Sequence, residues 1–282
     1  MRVSNIFTAI FLMAMTITGC KKEADIRPDQ LEAEYKLPQG DHPYDRTILD
    51  FYQKYGTFFL YKFNSKDFRW NITANIPYTA DQADEAYVAP ALEMLDKKLF
   101  SFYSEELLKQ ALPYKIILSS RIREIKPDYN GGLDTLEQPV NAASSISHFA
   151  FGVVSARLGQ LNEDELKVMK GDLHQGFWMQ AVYGGKLQVP PLFASSTDYS
   201  MVGEYSRKNY GVFVVRDNMT FKEDLGDYIN AITSHSYQEL EAQVFNPEND
   251  PKGQFFYKYK LVVNYYKTQY KIDLQAIGDA VN

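Results

Sequence analysis

The sequence predicts an α+β fold: a single compact domain, mostly helical with a small sheet, behind a flexible lipidated tether. Three observations carry this. Apolar residues recur at helical three- and four-residue steps in most segments, while the stretches holding Phe68, Trp70 and Ile72 and holding Ile116-Ile117-Leu118 read as strands. Aromatic residues make up 15% of the chain, with 21 Tyr and 18 Phe, enough to fill one sizeable core. Cys20 is the only cysteine, so no internal disulfide substitutes for that core.

The tether comes first. Arg2 gives a positive start, Phe7, Ile10, Phe11, Leu12 and Met13 an apolar run too short to span a bilayer, and Ile17-Thr18-Gly19 small residues before the thiol of Cys20. The pattern predicts a lipoprotein signal peptide over residues 1–19 and acylation of Cys20, with palmitate-type chains inserting in the membrane at ~0.8 kcal/mol per buried methylene. Residues 20–43, punctuated by Pro28, Pro38 and Gly40, read as the lipidated N-terminus and a solvated spacer, leaving residues 44–282 as the domain. Lys21-Lys22-Glu23-Ala24-Asp25 resembles the export signal that places Bacteroidetes lipoproteins outside the outer membrane. The expected location is therefore the outer membrane, lipid-anchored and exposed at the cell surface.

Removing residues 1–19 takes away one positive charge and no acid, leaving a net charge of about −7 against the −6 of the full chain. That balance excludes nucleic acid as a partner, which demands a basic face. It also leaves membrane contact to the lipid alone. No second apolar stretch approaches the roughly 20 residues of a spanning helix.

Within the domain, Ile48, Phe51, Tyr52, Tyr55 and Phe59 predict an opening helix, and residues 66–78 a strand and turn. Residues 83–103 predict a helix interrupted near Pro90, and Ser104-Glu105-Glu106 the capped start of another. Residues 114–125 predict a buried strand, and Asn130-Gly131-Gly132 a turn. Residues 140–158, small and apolar, predict the central helix. Asn162 caps a helix running to Lys170, after which residues 173–210 are the least periodic part of the chain. Residues 221–233 are helical, Ser236 caps a short helix, and residues 255–270 form an aromatic one.

In order and spacing, these landmarks resemble the zinc-binding metallopeptidase-like lipoproteins of Bacteroidetes that accompany TonB-dependent nutrient importers. The resemblance rests on Ile48-Leu49-Asp50-Phe51-Tyr52, Phe68-Arg69-Trp70-Asn71, Ala89-Pro90-Ala91-Leu92-Glu93, Pro113-Tyr114-Lys115-Ile116-Ile117-Leu118, residues 223–229 and Tyr270-Lys271-Ile272-Asp273-Leu274. It implies a zincin-like fold. Zincins need His-Glu-x-x-His on a helix, two imidazoles at i and i+4 gripping zinc and the glutamate activating water. The segment matched to that motif is Ser147-His148-Phe149-Ala150-Phe151. Ser147 stands for the first imidazole, His148 for the base and Phe151 for the second imidazole, so the resemblance implies a degenerate site, no catalytic residue and no expected zinc.

An active peptidase with non-standard ligands remains the alternative, for instance through His148, His174 and Glu223 brought together by folding. Tyr199, Tyr205 and Tyr210 in the irregular segment, with Glu223 and Asp227, are the candidate ligand contacts. The function that follows is a pseudoenzyme of a nutrient-uptake system, binding peptide, glycoprotein or glycan, or docking to an importer and its surface lipoproteins.

Overall fold

The computed structural model describes residues 35–69, 77–127, 133–135 and 140–280. In chain order the elements are α1 (Pro43–Tyr55), β1 (Phe58–Leu60), α2 (Ser65–Arg69), β2 (Tyr78–Gln82), α3 (Val88–Lys98), α4 (Glu105–Ala111), β3 (Lys115–Pro127), β4 (Leu133–Thr135), β5 (Ala142–Ser144) and β6 (His148–Phe151). Then follow α5 (Glu163–Tyr183), α6 (Pro191–Ala194), α7 (Phe221–Ser234), α8 (Tyr237–Gln243), α9 (Gln254–Tyr270) and α10 (Leu274–Asp279), with short 3-10 turns between. This is the expected α+β architecture, and no described helix is long and apolar enough to cross a membrane.

The sheet is organised on β3. β1 and β6 flank it in parallel, with Phe59 and Phe149 both opposite Ile116, and β5 pairs antiparallel with β6 to form the last strand of that path. β2 and β4 pair antiparallel with β3 further along. Phe59 was expected in the first helix but lies in β1. Gly56 explains the difference: at φ 70° it takes the left-handed cap that ends α1.

Two segments depart further from the sequence reading. Phe68 sits in α2, not in a strand, because Asn64 and Asp67 each accept the other's backbone N–H, at 3.0 and 2.8 Å, and close a helical turn. Trp70 and Ile72 lie outside the described residues, as does Asn130-Gly131-Gly132. Residues 140–158 form no central helix; they hold β5, β6 and a 3-10 turn. β6 is buried at all four positions, so its apolar run lacks the alternation that marks a half-exposed strand.

The central helix is α5. Asn162 caps it as expected, accepting from the Glu165 N–H at 3.0 Å while Glu165 accepts from the Asn162 N–H. The helix then continues past Lys170 for 21 residues in all, about 31 Å at 1.5 Å per residue. From Met169 to Val182 every residue is buried except Asp172 and Gln175. Gly171 lets α5 approach α7, where a Cβ would stand 2.9 Å from that of Ser234. Trp178, Phe177 and Leu173 fill the core behind.

Candidate functional site: a cleft between the last strand and two helices

Asp172 and Gln175 interrupt the burial of α5 because they face a cleft of about 260 Å³, walled by β5, α5 and α7. The α5 residues along it are Asp172, Gln175, Gly176, Met179 and Tyr183; α7 supplies Lys222, Glu223 and Gly226. Ala142, Ala143 and Ser144 of β5 form the opposite wall, with Tyr78 and Arg216 at the margins.

Gln175 and Met179 stand at i and i+4 on one helix face, the relation that two zinc-gripping imidazoles require. Gly226 of α7 meets them: a Cβ there would lie 3.0 Å from Gln175 Nε2 and 3.3 Å from Met179 Cγ. Gln175 accepts a hydrogen bond from Asn230 at 3.1 Å, which turns its NH₂ toward that corner. Gly176, one residue after Gln175, carries no side chain, and a Cβ on it would stand 2.8 Å from the ring of Phe149.

A carboxamide, a thioether and two glycines do not fit zinc, which takes imidazole, thiolate or carboxylate. The neighbouring carboxylates are engaged elsewhere. Asp172 accepts from Asn141 and Asn230, both at 2.9 Å, and burial raises its pKa. Glu223 accepts the Tyr183 hydroxyl at 2.5 Å and the Thr220 N–H at 2.9 Å, closing the cap of α7. Asp227 receives two bonds from Arg216, at 2.6 and 2.7 Å. Among the described residues no three His, Cys, Asp or Glu side chains gather to hold a metal ion.

The residues matched to the zincin motif by sequence lie elsewhere. His148 and Phe151 belong to β6 and Ser147 precedes it, so they share no helical face. On α5 the pair at i and i+4 that faces the cleft is Gln175 and Met179. His148 is fully buried, bonded through Nδ1 to Ser145 Oγ at 2.9 Å and packed 5.6 Å from Phe68, and desolvation lowers its pKa to about 3. His174 is buried too, joined to the Tyr103 hydroxyl at 2.5 Å, which also accepts from Trp178 at 2.8 Å. Burial holds it near 3 as well. His148, His174 and Glu223 therefore occupy three separate environments.

Of the three tyrosines, Tyr199 is half-buried and donates to Asp224 at 2.7 Å, and Tyr205 is fully exposed. Tyr210 is half-buried, and its carbonyl accepts from Lys258 at 3.4 Å. None lines the cleft, whereas Glu223 does. Tyr183, Gln175 and Met179 were missed by sequence reading; the signal available was the order strand, antiparallel strand, long capped helix.

No family model matches the sequence, and no curated protein matches it. Among solved structures, it is similar to one described as a putative zinc-binding metallo-peptidase from Bacteroides caccae, with a TM-score of 0.52 and 13% identity, covering 83% of this chain and 88% of that one. At that identity the likeness speaks for the fold: an α+β, zincin-like domain.

Proposed function

We propose that this chain is an outer-membrane, lipid-anchored lipoprotein of a nutrient-uptake system, with a zincin-like cleft that binds rather than cleaves. The observation that carries the reading is the Gln175–Met179 pair, at i and i+4 on the cleft face of α5 with Gly176 and Gly226 beside it, a set that supplies neither a good zinc ligand nor a general base. The ligand that suits the remaining walls is an extended peptide or a peptide stretch of a glycoprotein. β5 ends its sheet path and offers backbone groups for strand addition. Lys222 and Tyr78 add donors at the cleft's wall and margin. Recruitment to a TonB-dependent importer is consistent with the tether expected at Cys20.

The test uses full-length protein in detergent. Zinc is measured by elemental mass spectrometry after metal exposure and desalting, and binding to a library of unstructured peptides is measured alongside. The expected result is negligible zinc, together with peptide binding that Gly226→Met abolishes by filling the corner. Zinc near one per chain, with peptide hydrolysis, would replace this reading by an active metallopeptidase.

A further inference from the structure

Two carboxylates line the cleft, Asp172 and Glu223, and they differ in what holds them. Glu223 is taken by the Tyr183 hydroxyl and by the cap of α7. Asp172 is half-buried and accepts from two side-chain amides, Asn141 Nδ2 on Oδ2 and Asn230 Nδ2 on Oδ1, both at 2.9 Å. Among the described residues no cation pairs with it. Burial raises its pKa, and those two amides oppose the shift without the help of a positive charge.

The surroundings of Asp172 are short of donors. Asn230 Nδ2 also donates to Gln175 Oε1 at 3.1 Å, so two acceptors share one amide. Asn141 is 9% exposed, yet its Oδ1 has no hydrogen-bond partner among the described residues. The cleft's own cations stand elsewhere. Arg216 gives both its bonds to Asp227. Lys222 lies 5.1 Å over the ring of Tyr183, and Tyr183 is about three turns, or about 16 Å, beyond Asp172 along α5. A carboxylate so placed at the wall of an open cleft leaves its charge for a ligand to balance.

We propose that the ligand of the cleft presents a primary ammonium group to Asp172, an assignment that rests on the cleft being a peptide site. The group is the α-amino terminus of the peptide or the side chain of a lysine. An ammonium has three donors and no acceptor, which is what this end of the cleft lacks. Asp172 and Gln175 stand at i and i+3 on one face of α5. Asp172 Oδ1 and Gln175 Oε1 both lie within 3.1 Å of Asn230 Nδ2, close enough for one ammonium to bridge them by charge-assisted bonds. Ala142, Ala143 and Gly176 are small and leave the approach open. The same field repels a carboxylate from Asp172.

The experiment uses full-length protein in detergent and three pools of random hexapeptides, all amidated at the C-terminus and free of arginine and histidine. The first pool has free amino termini and no lysine, the second is N-acetylated with one lysine, and the third is N-acetylated without lysine. Retention is measured by equilibrium dialysis and mass spectrometry. At least one amine-bearing pool is expected to be retained at least about tenfold more than the third, and which one it is names the source of the ammonium. Asp172→Asn should remove that preference. Glu241→Gln, the same change of charge at an exposed position of α8, should leave it intact. The comparison of pools is made on the wild-type chain and so does not depend on the variants folding. Equal retention of the three pools, or a preference that survives in folded D172N protein, would overturn the proposal while leaving the cleft a peptide site. Retention of no pool would overturn the peptide reading itself, and the proposal with it.

Discussion

Gly176 of α5 is packed directly on Phe149 of β6, with 2.8 Å between the ring and the place a Cβ would take. The contact joins the central helix to the sheet and removes the room in which a side chain at position 176 would stand. Gly176→Glu must therefore move a fully buried ring and bury a carboxylate beside it. Overpacking and desolvation together predict a loss of about 2–4 kcal/mol. Adding Phe149→Ala to Gly176→Glu should recover part of that loss although Phe149→Ala alone destabilises. Urea denaturation of the four proteins of this cycle checks it; simple additivity would show that the two sites do not compete for space.

Asp224 and Lys258 form an ion pair with neither side chain exposed. Lys258 also donates to the Gly211 carbonyl at 3.0 Å and lies over the rings of Phe193 and Tyr228, while Tyr199 donates to Asp224. The pair ties α9 to α7 beneath the irregular segment. Lys258→Met leaves a buried carboxylate without its cation, with an expected cost of about 3–5 kcal/mol. Combined with Asp224→Leu, which removes the stranded charge, the cost should shrink. Denaturant midpoints of the single and double variants measure this, and a double variant weaker than Lys258→Met would contradict it.

What the sequence discloses and what it hides divide along the range of the interaction. Ser104, Asn162, Thr220 and Ser236 all cap helices through N–H groups two or three residues away, so their motifs are visible locally. Residues 140–158 mislead because β6 is set by pairing with distant β3 and β5 by pairing with β6, and burial at all four positions of β6 erases its period. The second half of α5 is hidden for the matching reason. With Gly171, Gly176 and Gln180 buried among Trp178 and Phe177, the helix is enclosed on nearly all sides and shows no stripe. The cleft inherits that obscurity: Gln175 and Met179 signal nothing chemically until α5 is known to continue past Lys170.

His148 and His174 make stability depend on pH. Both imidazoles are buried, and burial lowers their pKa values from 6.5 to about 3. The unfolded chain takes up protons below about pH 6.5 while the folded chain does not, so stability is full above that pH and falls as acid is added. Each histidine contributes a slope of about 1.4 kcal/mol per pH unit between 6.5 and 3. Urea unfolding at pH 7 and pH 5 should show the decline. His174→Gln, although itself destabilising, should reduce the slope by roughly one histidine's share; an unchanged slope would place the proton uptake elsewhere.

Arg216 and Asp227 divide space as well as charge. The cleft and a further cavity of about 490 Å³ share Gln175 and Arg216 as walls, and the bidentate pair stands between them. Asp227 is only 8% exposed, and burial pushes its pKa upward against the lowering effect of the guanidinium. Arg216→Ala removes the opposing cation. At pH 7.5 the variant should lose about 2–4 kcal/mol, because a buried carboxylate is left unpaired. Its folded state then binds a proton more tightly than the unfolded chain does, so the deficit relative to wild type should narrow as pH falls toward 5. The two pH–stability curves must converge on the acid side; parallel curves would mean that Asp227 finds another partner or water when Arg216 is gone. Asp227→Asn in the Arg216→Ala background removes the titrating group and should make the curves parallel again.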